Sequence, residues 1–307
     1  MNRRGGLDMT RLAFCACLFG SALCAQDRSP ADLLKLPVAP GARKIAYGSD
    51  PLQFGELRVP PGKGPHPVVV IVHGGCWMAR LGNLDERAVA MDLLRPMAEE
   101  LTRLGIATWN LEYRRLGNAG GGWPGTFEDV ARGTDHLRKI AQENRLDLDR
   151  VVAMGHSAGG HLVIWLAARR KLPPSSELYS KDPLPLRGVV DLDGPGDLKA
   201  TLPMQQQVCG APVITQLLDG TPEDRPQRYR EASPIELLPL GVPQEFFAGR
   251  MFAKQAPAYE EAARSAGDKV NTVVLAQAGH FVFIDPGSAV WPQVVRSTRA
   301  LLGLPDR

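Results

Sequence analysis

The sequence predicts an α/β fold with a mostly parallel, doubly wound sheet, flanking helices and a small cap segment. Three observations predict it. Short apolar, β-branched runs recur at residues 67–72 (PVVVIV), 150–154 (RVVAM) and 272–276 (TVVLA), as strands buried on both faces require. Helix-length segments alternate with them along the chain. Glycine-rich turns follow these runs: His73-Gly74-Gly75 directly follows the first and Gly155-His156-Ser157-Ala158-Gly159-Gly160 directly follows the second. Carboxyl ends of parallel strands are where open α/β sheets assemble their sites.

Arg3, Arg4 and Arg11 precede an apolar stretch at 12–25 that is too short to span a bilayer comfortably and closes on small residues. Residues 1–25 are therefore expected to be a signal peptide, cleaved near Cys24 or Ala25, with 26–307 as a single domain. After a Pro-containing approach come two edge strands at 43–47 and 52–59, then the buried strand at 67–72. Residues 84–104 carry helical apolar spacing, with Pro96 beginning or kinking a turn. A strand at 105–111 leads to the flexible turn 120–125, and Thr126 with Asp129 suggests a capping-box start for a helix reaching Gln142. Strand 150–154 precedes a helix at 161–170 free of Gly and Pro. Strands at 187–194, 242–249 and 272–276 complete the sheet, with helices at 259–266 and 291–302. A Gln-, Pro- and Gly-containing stretch, about 198–235, is the cap.

Chemistry concentrates at three places. Gly155-His156-Ser157-Ala158-Gly159 fits G-x-S-x-G between a strand and a helix, which puts the Ser157 hydroxyl on a sharp, strained turn as a candidate nucleophile. A serine hydroxyl needs an adjacent base. Of six histidines, His280 has the position of one: it follows a late strand and a glycine, after the serine in chain order. The third place is the loop after strand 67–72. Glycines there can turn backbone N–H groups inward, so Gly74, Gly75 and Cys76, with Ala158 after the serine, are the candidate oxyanion hole. Trp77, beside that loop, and His156, within the elbow, are the candidate substrate contacts.

The blocks HGGCW (73–77), NLEYRRLG (110–117), GGGWPGTFEDV (120–130), GHSAGGHL (155–162) and AGHFVFIDP (278–286) together resemble α/β-hydrolase esterases related to arylformamidases and the BD-FAE-type feruloyl and acetylxylan esterases. The resemblance covers the chain from about residue 37, implies the α/β-hydrolase fold and ester hydrolysis through an acyl-serine, and says little of the substrate. One departure stands out. In that family the triad acid follows the strand after the cap, but here the loop at 249–257 holds no Asp or Glu. The preceding strand ends in Asp191 and Asp193, two residues apart and hence on one face. Asp193 is nearer the carboxyl end and is the preferred acid, with Asp191, Asp197 and Asp285 as alternatives. Asp197 suits a helix cap, and Asp285 suits shaping of the His280 loop.

Composition narrows the function. A formal net charge of +3 with both signs interspersed gives no footprint for nucleic acid, and beyond the leader no stable membrane association is expected. No metal-ligand spacing occurs, so no metal or cofactor is implied. Three of the five cysteines lie in the leader, leaving Cys76 and Cys209. Export permits a disulfide between them, tying the oxyanion loop to the cap; a free buried Cys76 is the other reading. The expectation is an exported, secreted or periplasmic serine carboxylesterase acting on a small-molecule ester, of unspecified oligomeric state. An arylformamidase-type amidase, or a weakened pseudo-hydrolase that binds a ligand, are the alternatives.

Overall fold

A computed structural model describes residues 27–306. The leader expected at 1–25 lies outside the described residues. Eight strands form one sheet in the order β1-β2-β4-β3-β5-β6-β7-β8. β1 is Arg43–Ala46, β2 Phe54–Arg58, β3 His66–Val72, β4 Ala107–Leu111, β5 Leu146–His156, β6 Gly188–Leu192, β7 Gln244–Ala248 and β8 Val270–Val274. β1 and β2 pair antiparallel at one edge, and all pairings from β4 through β8 are parallel.

The apolar runs become the central strands for a simple reason. Every residue of β3, β4 and β6 is buried, and β3 presents Val or Ile to helices on both sides. One core layer gathers Val68, Val70, Val151, Ala153 and Val189 against the helices Gly125–Asp135 and Ala158–Ala168. The other gathers Val69, Ile71, Val152, Met154 and Val190 against Arg95–Arg103 and Trp291–Leu301. Alternate residues of each strand serve alternate layers.

Two expected elements differ. The helix read over 84–104 is two 3₁₀ turns, Glu86–Val89 and Met91–Leu94, before the α-helix Arg95–Arg103, with Pro96 in its first turn. A missing N–H costs nothing there. The capping box at Thr126 and Asp129 does not form: the cap position is Pro124 and makes no side-chain cap bond. Tertiary partners claim both side chains instead. Thr126 Oγ1 donates to the Arg114 carbonyl, and Asp129 pairs with Arg114 at 2.7 Å and accepts from Gln53 at 2.7 Å. The helix then breaks at His136, giving Gly125–Asp135 and Leu137–Asn144. Between β6 and β7 the chain folds into the short helices Leu198–Thr201, Gln205–Cys209, Val213–Leu217 and Pro226–Ala232. No helix among the described residues is long and apolar enough to cross a membrane.

Candidate active site

Ser157 stands between β5 and the helix Ala158–Ala168 at φ 56°, ψ −121°. A non-glycine residue holds such angles only when its surroundings fix them. Its amide donates to the Leu192 carbonyl of β6 at 3.0 Å. The flanking glycines are required by contact: a Cβ on Gly155 would meet the Gly159 carbonyl at 2.1 Å, and one on Gly159 the Val72 carbonyl at 2.0 Å. Any side chain at either position would push the helix off the sheet and move the serine.

The loop after β3 passes directly over the serine. A Cβ on Gly74 would lie 2.9 Å from Ser157 Cβ and 2.7 Å from the His156 carbonyl. Gly75, Cys76 and Trp77 follow with positive φ of 102°, 54° and 54°, so three successive peptides turn as an ordinary strand exit would not. Buried groups missed in the sequence hold this loop. His73 faces an acceptor at each ring nitrogen, the Gly74 carbonyl at 2.8 Å and the Glu112 carboxylate at 3.0 Å. Its ring stacks on Tyr113, whose hydroxyl donates to the His73 carbonyl at 2.8 Å. Burial pushes the Glu112 carboxyl up, but His73 and Arg115 outweigh it and leave it below its ordinary value. No spacing rule marks Glu112; only the folded loop brings it under His73. Cys76 is bonded to Cys209, with Cα atoms 6.0 Å apart.

Asp193 follows β6 at φ 57° and is fully buried. Its Oδ2 accepts from His280 Nδ1 at 2.7 Å, and its Oδ1 accepts from the Gly249 amide at 2.7 Å. Gly249 belongs to the acid-free loop after β7, so that loop contributes a donor to the carboxylate in place of an acid of its own. Asp191 goes elsewhere despite the shared parity. It lies under the elbow helix, where a Cβ on Gly160 would meet its Oδ1 at 1.9 Å. Burial raises its carboxyl well above the ordinary range, and Asp193 adds to the rise. Among the described residues the only hydrogen bond to its carboxyl group is from the Gly194 amide to Oδ2 at 3.2 Å, leaving Oδ1 without a partner. Asp197 caps the helix Leu198–Thr201, accepting from the Lys199 and Ala200 amides. Asp285 accepts from the Gly287 amide and pairs with Arg28, both at 2.8 Å, and so shapes the loop after His280.

His156 is 2 % exposed. Its Nε2–H donates to the His280 carbonyl at 2.9 Å, and the two rings lie 4.4 Å apart between centroids. Burial, with His280 adding to it, drives its pKa well down, so the ring is neutral and its one proton sits where the carbonyl needs it. It thus holds the His280 loop against the elbow as well as bordering the cavity at Ser157. Trp77 is 3 % exposed, packs edge-on against His161 at 5.3 Å and lines a second cavity beside Ser157. Of the remaining histidines, His161 is buried and donates to the Ala232 carbonyl at 2.8 Å, a packing role. A separate cleft of about 900 Å³ lies beside Glu112 and Arg115 and is bordered by neither Ser157 nor His280.

Ser157, His280, Gly75 and Cys76 border one cavity. The arrangement thus presents a hydroxyl on a strained turn, an imidazole fixed at Nδ1 by a buried carboxylate, and amides of Gly75, Cys76 and Ala158 that donate to no acceptor among the described residues. Such a set can generate a nucleophile and hold the oxyanion it produces.

The BD-FAE family model matches residues 57–245, more than half of the chain. Solved structures share the fold. Esterase B from Lactobacillus rhamnosis aligns with TM-score 0.70 and 21 % identity, covering 91 % of this chain and 89 % of that one. A truncated carbohydrate esterase from gut microbiota aligns with TM-score 0.68 and 19 % identity over 86 % and 97 %. The butyrate-bound esterase Est2 from Thermogutta terrifontis aligns with TM-score 0.64 and 19 % identity over 85 % and 92 %. A curated relative, a probable isoprenylcysteine alpha-carbonyl methylesterase from Arabidopsis thaliana, is 27 % identical over 139 residues, which is 44 % of this chain. The match spans about a quarter of that relative's length, 26 %.

Proposed function

The chain belongs to the BD-FAE family, and from that premise we propose that it is an exported serine carboxylesterase whose catalytic residues are Ser157, His280 and Asp193. The observation that carries the assignment is the 2.7 Å bond from His280 Nδ1 to the fully buried Asp193, beside a serine at φ 56°. With Nδ1 committed to the carboxylate, Nε2 is bare and takes the Ser157 proton as Oγ attacks the ester carbonyl. The tetrahedral oxyanion lies against the Ala158 amide and that of Gly75 or Cys76. His280 returns the proton to the departing alcohol oxygen. Water, deprotonated by the same nitrogen, then releases the acyl group from Ser157.

Esters are favoured over amides because the aligned proteins are named as esterases. Export rests on the leader at 1–25, with 26–307 as the mature, single catalytic domain. The test is release of p-nitrophenol from short-chain esters by the mature protein beside Ser157→Ala and His280→Ala. Both variants should lose about 10⁶ of kcat. Turnover of anilides ahead of matched esters would select the amidase reading, and no turnover of either by the wild type would select ligand binding without catalysis. Fractionation of cells expressing the full chain tests export: a product retained in the cytoplasm at full length refutes it.

A further inference from the structure

Two cavities meet at Ser157 and differ in their relation to His280. One, about 230 Å³, is bordered by His280, Phe281, Leu84 and Val89. A neighbouring groove of about 550 Å³, sharing His280 and Phe281 with it, runs past Arg28 and Arg250. The other, about 20 Å³, is bordered by Trp77, Ala158, Val213, Ile214, Phe252 and the bridged pair Cys76–Cys209, and His280 takes no part in it. Val208 and Met251 border all three, so the short helix carrying Val208 and the loop after β7 carrying Met251 stand between them.

We propose that the small cavity is the acyl site, that it admits an acyl chain of two or three carbons, and that the Cys76–Cys209 bridge sets this limit. The inference rests on the serine-esterase reading above. The leaving oxygen must receive its proton from His280, so the alcohol lies in the cavity that His280 borders, and the acyl substituent takes the opposite side of the tetrahedral carbon. About 20 Å³ of accessible space is room for one or two water-sized groups, each needing about 10–15 Å³. That matches the methyl of an acetyl or the ethyl of a propionyl group. The alcohol side is far larger and mainly apolar near the serine, which fits a bulky leaving group.

The limit needs a wall that does not yield. Val213 and Ile214 are fully buried and supply part of it. The helix Gln205–Cys209 supplies another part through Gln205, Val208 and Cys209; it has no fully buried residue, and only Val208 and Cys209 pack partly against the core, so apolar burial holds it less firmly than the sheet. Its ties are the bond from Cys209 to Cys76 and the Gln205 side chain accepting from the Ile214 amide at 2.8 Å. Without the bridge that helix can swing away, and the small cavity opens into the groove beyond.

The test compares kcat/KM on p-nitrophenyl acetate, butyrate and octanoate for the mature wild type, Cys209→Ser and Ile214→Ala. Ile214→Ala enlarges the cavity with the bridge intact, so it decides the matter even if Cys209→Ser does not fold. Treatment of the wild type with a dithiol gives the same comparison without mutation: two thiolate exchanges convert the bridge to two cysteine thiols and the reagent to its cyclic disulfide. The wild type should favour acetate over octanoate by at least about 100-fold, since even one methylene beyond what a pocket of fixed size holds costs about 10-fold or more. The octanoate-to-acetate ratio should rise about 10-fold in Ile214→Ala, and likewise on loss of the bridge. A wild type that takes octanoate as readily as acetate overturns the proposal, as does an unchanged ratio in Ile214→Ala and after dithiol treatment. A wild type that hydrolyses none of the three esters overturns the serine-esterase reading as well; an unaltered ratio with normal turnover overturns the acyl limit alone.

Discussion

Asp193→Asn probes the acid with the least disturbance of shape. The carboxylate is fully buried and holds two donors at 2.7 Å, His280 Nδ1–H on Oδ2 and the Gly249 amide on Oδ1. Gly249 can only donate, so the amide oxygen of asparagine must face it, and the NH₂ group then faces Nδ1. The imidazole proton is driven to Nε2, the nitrogen that has to be bare to accept the serine proton. The lost charge adds to this. A carboxylate about 4 Å from the centre of an imidazolium is worth about 4 kcal/mol at an effective dielectric of 20, and reversing the tautomer costs about 1–2 kcal/mol more. Together they predict a fall in kcat of about 10⁴-fold. KM should move less than about threefold, because Asp193 borders none of the three cavities around the serine. The assay is steady-state p-nitrophenyl acetate hydrolysis at neutral pH, with melting curves to show that the fold is kept. A variant within about tenfold of the wild-type kcat would refute the role given to Asp193 and to the bond at Oδ2.

Three further outcomes follow from the buried polar groups. Asp191 has its carboxyl raised well above the ordinary range by burial, so the folded protein keeps it protonated while the unfolded chain ionises it. Its stabilisation is therefore complete below the unfolded value, about 3.9, and is lost as pH rises toward the folded one; Asp191→Asn should melt like wild type in acid and above it in mild alkali, measured by calorimetry across pH. Glu112→Gln leaves Arg115 buried with its ion pair at 3.3 Å gone and removes the carboxylate from His73, so it should cost about 3–5 kcal/mol in denaturant unfolding and lower kcat by loosening the oxyanion loop. His156→Leu deletes the bond to the His280 carbonyl and should lower kcat about tenfold, at a neutral bond's usual worth, whereas His156→Gln, which retains an N–H donor at similar reach, should recover most of it; equal kcat in both variants would argue against the bond.

The central sheet was readable because its strands are buried on both faces and so are written in unbroken apolar residues, Val and Ile at 68–72 and Val, Ala and Met at 151–154. Ser157, His280 and the HGG loop were readable because each is a local statement: a glycine-bounded turn placed where a parallel strand ends. Elements decided by distant partners were not. Thr126 and Asp129 have capping-box spacing, yet in the fold their side chains bond to Arg114 and Gln53 instead of to the helix start. The helical spacing over 84–104 was real, but Glu112, more than twenty residues on, accepts from the Met91 amide, and the Asn110 side chain donates to the Met91 carbonyl at 3.0 Å. Those contacts hold the first part of the segment as 3₁₀ turns against the oxyanion loop.

The acid shows most clearly where local reasoning ends. Asp191 and Asp193 share a parity, so a regular strand would aim both carboxylates the same way. What separates them is the left-handed backbone at Asp193, φ 57°, which an aspartate tolerates better than most residues. That turn is fixed by bonds to another strand: the Asp193 amide donates to the Phe247 carbonyl at 2.7 Å, and the Gly249 amide donates back to its carboxylate. The segment that lacks an acid is thus the one that positions the acid of its neighbour. The triad geometry needs a carboxylate at one point in space, and either of two adjacent strand ends can deliver it. Here β7 ends in Ala248-Gly249, whose bare backbone comes close enough to serve as a donor: a Cβ on Gly249 would stand 3.1 Å from Asp193 Oδ2 and 2.8 Å from the Phe283 ring. A glycine at 249 and an aspartate at 193 are therefore one device, and replacing Gly249 by any residue with a side chain should displace the carboxylate from His280 much as Asp193→Asn removes its charge.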